Sequence, residues 1–552
     1  MASVPAGHKQ KLFNATDGGL THRSGSDKSK EEHGRGRSNV EAPGEADDLL
    51  VAMGYQSELV RNRSTLQVAF MSFVLASIPY GLATTLFYPL IGGGPANVIW
   101  GWIMLSVIIL AVAVSLGEIT SVYPTAGGVY YQTFMLAPLW CRKILSWICG
   151  WSYVAGNITI TLAVNFGSTL FFISCINVFE GDDGVPIFPG ETYQIFLVFV
   201  AITLICNLVC AFGNKWLPWL DTFAIFWTFA GVIAIVISVL AIAKEGRHSA
   251  KYVFTDFEPT SGWPDGWAFC VGLLQAAYAT SSTGMIISMC EEVQHPRTQV
   301  PKAMVFTIIL NFFCGLLFLL PLMFVLPDLA DLVALASGQP LPIILLSAVG
   351  NKTGAFCLTI PILVLAMFCG IGCTTAASRA TWAFSRDGAI PGFQLWKKVN
   401  PKLDVPLNAM ILSMSVQIIL GFLYFGSVAA FNAFSGVGVI CLTVSYAVPI
   451  AVSLIGGRMH IKRGSFDMGL LGLICNIVAL AWTALAIPLF CMPSYLPVEA
   501  ATMNYASVVF VAIIVISSAW YYAYGRTHYK GPPVQEDAAI EHRLSVTHQY
   551  GN

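Results

Sequence analysis

Charge is scarce in this sequence. Asp, Glu, Lys and Arg make up 11% of the 552 residues, while hydrophobic residues make up 56%. A soluble globular domain carries about a quarter charged residues, so the balance excludes a water-soluble fold and points to an integral membrane protein. The formal net charge of −1 offers no basic surface for a nucleic-acid partner. Paired cysteine spacings are also lacking. Most of the fourteen cysteines lie inside apolar runs, such as Cys206, Cys210, Cys369 and Cys373. They read as small packing residues, with neither a disulfide framework nor a metal site. No HExxH, no GxSxG and no phosphate-binding loop occurs, so neither an enzyme nor a cofactor is expected. No apolar run opens the chain, so no cleaved signal peptide is expected and the first membrane helix must direct insertion.

Apolar runs fill most of what remains. A helix needs about 20 apolar residues to cross the hydrocarbon. Such runs fall at 67–91, 97–117, 144–178, 192–212, 218–243, 267–290, 303–326, 354–378, 407–426, 430–455, 468–492 and 503–524. The expected fold is therefore all-α, with twelve transmembrane helices over residues 61–526. Residues 1–60 and 527–552 are polar and are expected to form tails, the first of them disordered because it cannot bury enough apolar surface.

Basic residues sit in alternate loops. Arg61 and Arg63 precede span 1; Arg142 and Lys143 follow span 2; Arg297 and Lys302 follow span 6; Arg458 and Lys462 follow span 10. The intervening loops carry Glu180–Asp183 and Pro327–Asp331, with Lys244, Arg247, Lys251 and Lys352 as their main basic exceptions. The positive-inside rule places both termini in the cytoplasm. The sequon Asn351-Lys352-Thr353 then falls outside, where it is a candidate for glycosylation.

Two spans carry main-chain breakers at mid-depth. In span 1, Ser77-Ile78-Pro79-Tyr80-Gly81 combines a residue without an N–H with a flexible glycine. In span 6, Tyr278-Ala279 is followed by Thr280, Ser281, Ser282, Thr283 and Gly284. Hydroxyl side chains compete with helical hydrogen bonds. Backbone groups released in a bilayer must face protein or a water-filled cavity. Spans 1 and 6 each open a set of five, and an odd number inverts the second set. The pattern predicts an inverted 5+5 repeat, with halves at about 65–243 and 265–455 and peripheral helices at about 468–524, and a binding site at the two breaks.

Candidate substrate ligands are therefore the main-chain groups and side chains of Ser77 to Gly81 and Tyr278 to Gly284. Asn157, Thr161 and Asn165 in span 3, and Asn432 and Ser435 in span 10, are further polar candidates. Ionisable residues at the basic ends of spans are candidates for a gate: Glu118, Glu291, Glu292, Arg379, Arg386 and Asp387. Proton coupling needs a titratable group near the membrane. No histidine lies within an expected span, which leaves Glu118 first and Asp221 second.

Three motifs in order carry a resemblance. SLGEITSVYPTAGGVYY (Ser115–Tyr131), CEEVQHPRTQVPKAM (Cys290–Met304) and ASRATWAFSRDGAIPG (Ala377–Gly392), followed by NPKLDVPLNA, resemble the corresponding segments of amino acid–polyamine–organocation (APC) permeases. The likeness covers roughly residues 50 to 530 and looks closest to fungal GABA and choline permeases. It implies the APC fold with helices 1 and 6 broken. It further implies a secondary active transporter for an amino acid, GABA-like compound or amine, working by alternating access and coupled to protons, in the plasma or vacuolar membrane. A choline- or polyamine-type organocation permease is the alternative, and a transporter-like nutrient sensor is a further one. Many such permeases carry an acidic residue in the span 6 break, where this chain has Gly284.

Overall fold

The computed structural model describes residues 45–533, except residues 57, 60, 62, 180–185, 189, 244–246, 336–337, 427 and 500–502 and the side chains of 45, 65, 426–432 and 463. The acidic stretch Glu180–Asp183, the side chain of Asn432 and most of the two expected tails thus lie outside the described residues. Among the described residues twelve helices are long and apolar enough to cross a membrane. They run Leu66–Thr84, Phe87–Val122, Arg142–Ile176, Thr192–Phe212, Asn214–Ile242 and Asp265–Glu292 in the first six spans. The other six are Pro296–Phe324, Lys352–Arg386, Leu407–Phe425, Ala433–Ile455, Gly469–Leu489 and Ala506–His528. Among the described residues no strand forms beyond two isolated bridges. With an even number of crossings, the segment before span 1 and the segment after span 12 share one face, called here the basic face.

Several boundaries differ from the apolar runs. Span 1 ends at Thr84 and span 2 begins at Phe87. The run 67–91 therefore joins two helices, because hydropathy does not register the turn at Thr85 and Leu86. Span 2 also contains Gly93 and Gly94 in non-helical geometry ahead of Pro95. Span 8 runs on to Arg386, past the end of its apolar run, so Arg379 and Arg386 are helical residues and Asp387 is the C-cap. A short helix, Glu45–Ala52, begins within the stretch expected to be a tail. Leu50, Tyr55 and Leu59 of that stretch are buried, which gives it apolar contacts that composition alone did not suggest.

The packing follows the exchange of halves. Span 2 packs on span 7 and span 3 on span 8, pairs that map onto themselves when five is added to or subtracted from each number. Span 3 packs on span 10 and span 8 on span 5; span 1 packs on span 7 and span 6 on span 2; span 4 packs on span 3 and span 9 on span 8. Each of these pairings is accompanied by its mate. Span 11 lies on spans 2 and 10, and span 12 on spans 10 and 3, outside the exchange.

Candidate functional site

Span 1 breaks at Ser77, which adopts φ 40° and ψ 52°. A left-handed conformation in a non-glycine residue costs of order 1–3 kcal/mol and persists only where surroundings impose it. Here Ser77 Oγ donates to the Val74 carbonyl at 2.6 Å, and Pro79, which has no N–H, cannot continue the helical bonding across the turn. The second half of the span starts at Ile78. Tyr80 fixes it to span 3: its hydroxyl donates to the Val164 carbonyl at 2.7 Å and lies 2.9 Å from Ser168 Oγ.

Span 6 departs from α-helical geometry at the expected place, but by tightening rather than unwinding. Residues Ser281–Glu292 form a 3₁₀ helix, far longer than the three or four residues common for that form. The hydroxyls explain part of this. Ser281 Oγ donates to the Tyr278 carbonyl at 2.8 Å, Thr283 Oγ1 to Thr280 at 2.6 Å and Ser288 Oγ to Met285 at 2.8 Å, each three residues back. Thr280 Oγ1 bonds Ala276 at 2.7 Å. Three of the four expected hydroxyl ligands are thus engaged by their own helix. Ser282 Oγ, buried, has no hydrogen-bond partner.

The two breaks touch. A Cβ built on Gly81 would stand 3.1 Å from Ala279 Cβ and 3.2 Å from its Cα. Around this crossing lies a void of about 10 Å³, lined by Ala76, Tyr80, Gly81, Tyr278, Ala279, Ser281 and Ser282, with Leu75, Ile160, Val164, Cys369 and Cys373. That is room for about one water. On the face opposite the basic one lies a cavity of about 280 Å³ with Thr84, Tyr88, Phe166, Phe434 and Ser435 in its wall. Tyr278 lines both spaces and separates them.

Other expected ligands stand apart from the void. Asn157 donates to the Tyr153 carbonyl at 2.8 Å, and Thr161 bonds Asn157 of its own helix at 2.7 Å. Asn165 joins span 3 to Thr203 and Gln417, both at 3.3 Å, which is interhelical bonding. Gly284 is covered: a Cβ there would lie 2.5 Å from the Tyr446 ring. Tyr446 also donates to the Ser281 carbonyl at 3.1 Å, and Tyr153 to the Gly284 carbonyl at 3.2 Å. These two tyrosines, unmarked by any sequence pattern, bond carbonyls of the tightened segment from spans 10 and 3.

On the basic face, five of the six expected gate residues converge. Glu292 Oε1 accepts from Arg379 Nε at 2.8 Å and Glu292 Oε2 from Arg63 Nε at 3.4 Å. Arg63 Nη1 reaches Asp221 Oδ2 at 2.7 Å, and Arg379 Nη2 reaches Asn214 Oδ1 at 3.0 Å. All four ionised side chains are at most 9% exposed. Beside them Arg386 forms a two-pronged pair with Glu291, at 2.9 and 3.0 Å, and Glu291 also accepts from the Ala126 N–H at 3.1 Å. The Arg386 guanidinium lies 3.9 Å over the Tyr55 ring and 4.4 Å over Trp382. Asp387 accepts from Tyr55 at 2.9 Å and from Tyr130 at 2.7 Å.

The backbone completes this seal. Arg63 N donates to the Glu292 carbonyl at 3.2 Å and Gln294 N to the Arg63 carbonyl at 3.3 Å, tying the segment before span 1 to the segment after span 6. Burial works against the Arg63 charge, yet Asp221 and Glu292 outweigh it and hold its pKa above the ordinary arginine range. For Asp387 burial prevails over Arg386 and the two tyrosine donors, and its pKa rises to about 6. Glu118 stands outside the cluster. It pairs with Arg458 at 2.8 Å and accepts from Met468 N at 2.9 Å, which joins span 2 to the segment between spans 10 and 11. Arg63, Asn214, Tyr55 and Tyr130 were not foreseen in the gate; only the basic loop pattern touched any of them.

The amino acid permease family model matches residues 54–515. An uncharacterized amino-acid permease of Schizosaccharomyces pombe is 28% identical over 538 residues, 97% of each chain. A choline transporter of Saccharomyces cerevisiae is 29% identical, covering 91% of this chain and 87% of its own. A GABA-specific permease of the same yeast is 30% identical, covering 88% and 85%. A family match over most of the chain, joined to twelve spans broken at 1 and 6, establishes that the chain belongs to the amino acid permease family, whose members are membrane transporters and not enzymes.

Proposed function

We propose that the protein takes up a zwitterionic amino acid or a GABA-like compound by alternating access, with both tails in the cytoplasm of a plasma-membrane permease. One observation carries the reading. The two helix breaks meet around a void whose described lining contains no acidic or basic side chain, sealed on one face by ion pairs and separated from a larger cavity on the other by Tyr278. A zwitterion suits such a place because main-chain dipoles can serve both its ends. The start of the second half of span 1, at Ile78 and Tyr80, carries positive partial charge for a carboxylate, and the ends of the first halves offer carbonyls to an ammonium group. The basic loops support cytoplasmic tails. Substrates enter from the Tyr278 side; the ion-pair cluster opens to release them.

Proton coupling is part of this reading, assigned first to Glu118 and second to Asp221. Each faces one arginine, Arg458 and Arg63 respectively, so protonation of either releases a cation that holds two elements together. Uptake driven by an imposed pH gradient, compared in Glu118→Gln and Asp221→Asn, tests the assignment; equal proton dependence in both variants removes it.

The rings of Phe87, Tyr88, Phe166, Tyr278 and Phe434 in the outer cavity favour a second reading, an organic cation held against aromatic faces. The similarity to a choline transporter points the same way. Uptake of radiolabelled GABA, proline, choline and spermidine in a transport-deficient yeast decides between the two. Accumulation of a zwitterion supports the first reading. Accumulation of choline or spermidine alone supports the second. Failure to accumulate any of them favours a sensor on the same fold.

A further inference from the structure

The turn at Ser77 detaches the last carbonyls of the first half of span 1 from helical partners. Ser77 itself bonds Val74. The next carbonyl, that of Leu75, meets two thiols instead. Cys369 Sγ stands 3.6 Å from it and Cys373 Sγ 4.0 Å. These cysteines are four residues apart and so share one face of span 8. Both are buried, and both line the void at the breaks. Ser282 Oγ, the hydroxyl without a partner, lines the same void.

The residue type matters here. Several hydroxyls on span 8 turn back on their own helix: Thr375 bonds Ile371 at 2.8 Å, Ser378 bonds Thr375 at 2.7 Å and Ser385 bonds Thr381 at 2.7 Å, whereas among the described residues buried Thr374 and Thr381 make no such bond. A thiol is a weaker donor and is less drawn to that local bond. It extends across to span 1 and gives Leu75 a partner that a stronger donor readily displaces.

We propose that Cys369 and Cys373 are substrate-site residues: a thiol pair that holds the Leu75 carbonyl and yields it when substrate occupies the breaks. The proposal rests on the reading that substrate binds there. Substitution by serine moves the donor back to span 8, removes the cross-span contact and raises KM with little change in maximal rate. Occupancy shields the thiols.

Both consequences are measurable on the full-length protein in yeast membrane vesicles, with GABA and proline as probes. 2-Aminoethyl methanethiosulfonate converts an accessible thiol to a mixed disulfide and releases methanesulfinate; mass spectrometry then reports each cysteine. At ten times its apparent dissociation constant a bound substrate should slow labelling of Cys369 and Cys373 about tenfold by mass action. Labelling of exposed Cys357 should not change. C369S/C373S should express normally and show the raised KM, and C369A/C373A separates loss of the thiols from their replacement by hydroxyls. Unprotected thiols, or an unchanged KM in both double variants, overturn the assignment while leaving uptake and the transport reading intact. Absence of uptake and of protection with either probe overturns both.

Discussion

On the basic face, Arg63, Asp221, Glu291, Glu292, Arg379 and Arg386 meet in buried pairs drawn from the segment before span 1 and from spans 5, 6 and 8. On the opposite face, the described lining of the 280 Å³ cavity has no acidic or basic side chain, and the division from the central void rests on Tyr278. The contrast teaches how each side yields. Buried ion pairs are all-or-none: their attraction offsets a large desolvation cost only while every partner is present. An aromatic ring in a uncharged wall shifts by a rotamer without leaving a charge unsatisfied. The basic face should therefore be the stiff gate, and the Tyr278 side the compliant one.

The sharpest way to break this comparison is at Glu292, which serves Arg379 and Arg63 together. Glu292→Ala leaves two buried guanidinium groups facing each other, and loss of one partner of a buried pair costs about 3–5 kcal/mol. Uptake should fall to background, and Cys290, buried beside the gate, should become alkylatable. Asp47→Ala, which removes the half-exposed partner of Arg61 and leaves Arg61 its bonds to the Ala46 and Val293 carbonyls, is the control. Exposed pairs contribute about 0–1 kcal/mol, so its uptake should be near normal. Similar losses in the two variants would show that the face is not a single network.

The second effect lies where the two gates meet. At Gly81 even a methyl group would press on Ala279, and overpacking a filled core costs about 1–3 kcal/mol. Gly81→Val should lower the melting temperature in detergent and abolish uptake, because spans 1 and 6 can no longer cross so closely. Unchanged uptake would mean that the breaks do not have to touch for transport. Gly284→Ala should act in the same direction through Tyr446, whose ring is a side chain able to shift, and so by less.

This difference between glycines marks what was legible in the sequence. Twelve spans, both breaks and most members of the ion-pair cluster follow from composition, because lipid imposes one simple rule on length and polarity. Helix ends were not legible where an apolar run crosses a turn, as at Thr85 and Leu86, or where a helix continues into charge, as at Arg379. Partners were legible least. The hydroxyls of Thr280, Ser281 and Thr283 looked like ligands, but a hydroxyl prefers a carbonyl one turn back, and only Ser282 was left over. Arg63 read as a topological charge, since nothing in a single chain says that Asp221, more than 150 residues later, lies beside it.

The compliant side is tested by Tyr278→Ala. Removing the ring joins the outer cavity to the central void and should erode discrimination by substrate size. Differences in apolar contact of this kind amount to about ten- to a hundredfold. The measurement is the ratio of uptake efficiencies for a small and a large amino acid. Glu292→Ala, in contrast, should lose transport of both equally. A size ratio that survives Tyr278→Ala would move the selective constriction elsewhere.

The smallest expected effect concerns Asp387, where the stiff gate meets the aqueous side. Its surroundings are Tyr55, Tyr130, Arg386 and Glu291, and its pKa in the closed face is about 6, above the ordinary 3.8. A carboxyl whose pKa is raised by closure binds its proton more tightly when closed. The ionised form therefore opposes closure at neutral pH, and that opposition is relieved as pH falls through 6 toward 4. If the open face exposes Asp387 to water and restores its ordinary pKa, lowering the pH on this side from 7 to 5 should favour the closed form by up to about tenfold. Exit through this face should slow accordingly. Asp387→Asn should behave at pH 7 as the parent does at pH 5 and should lose the dependence between them. An acid-induced acceleration instead, abolished by the same substitution, would mean that the ionised carboxylate is what holds Tyr55 and Tyr130 in place, and that this edge of the gate closes through charge after all.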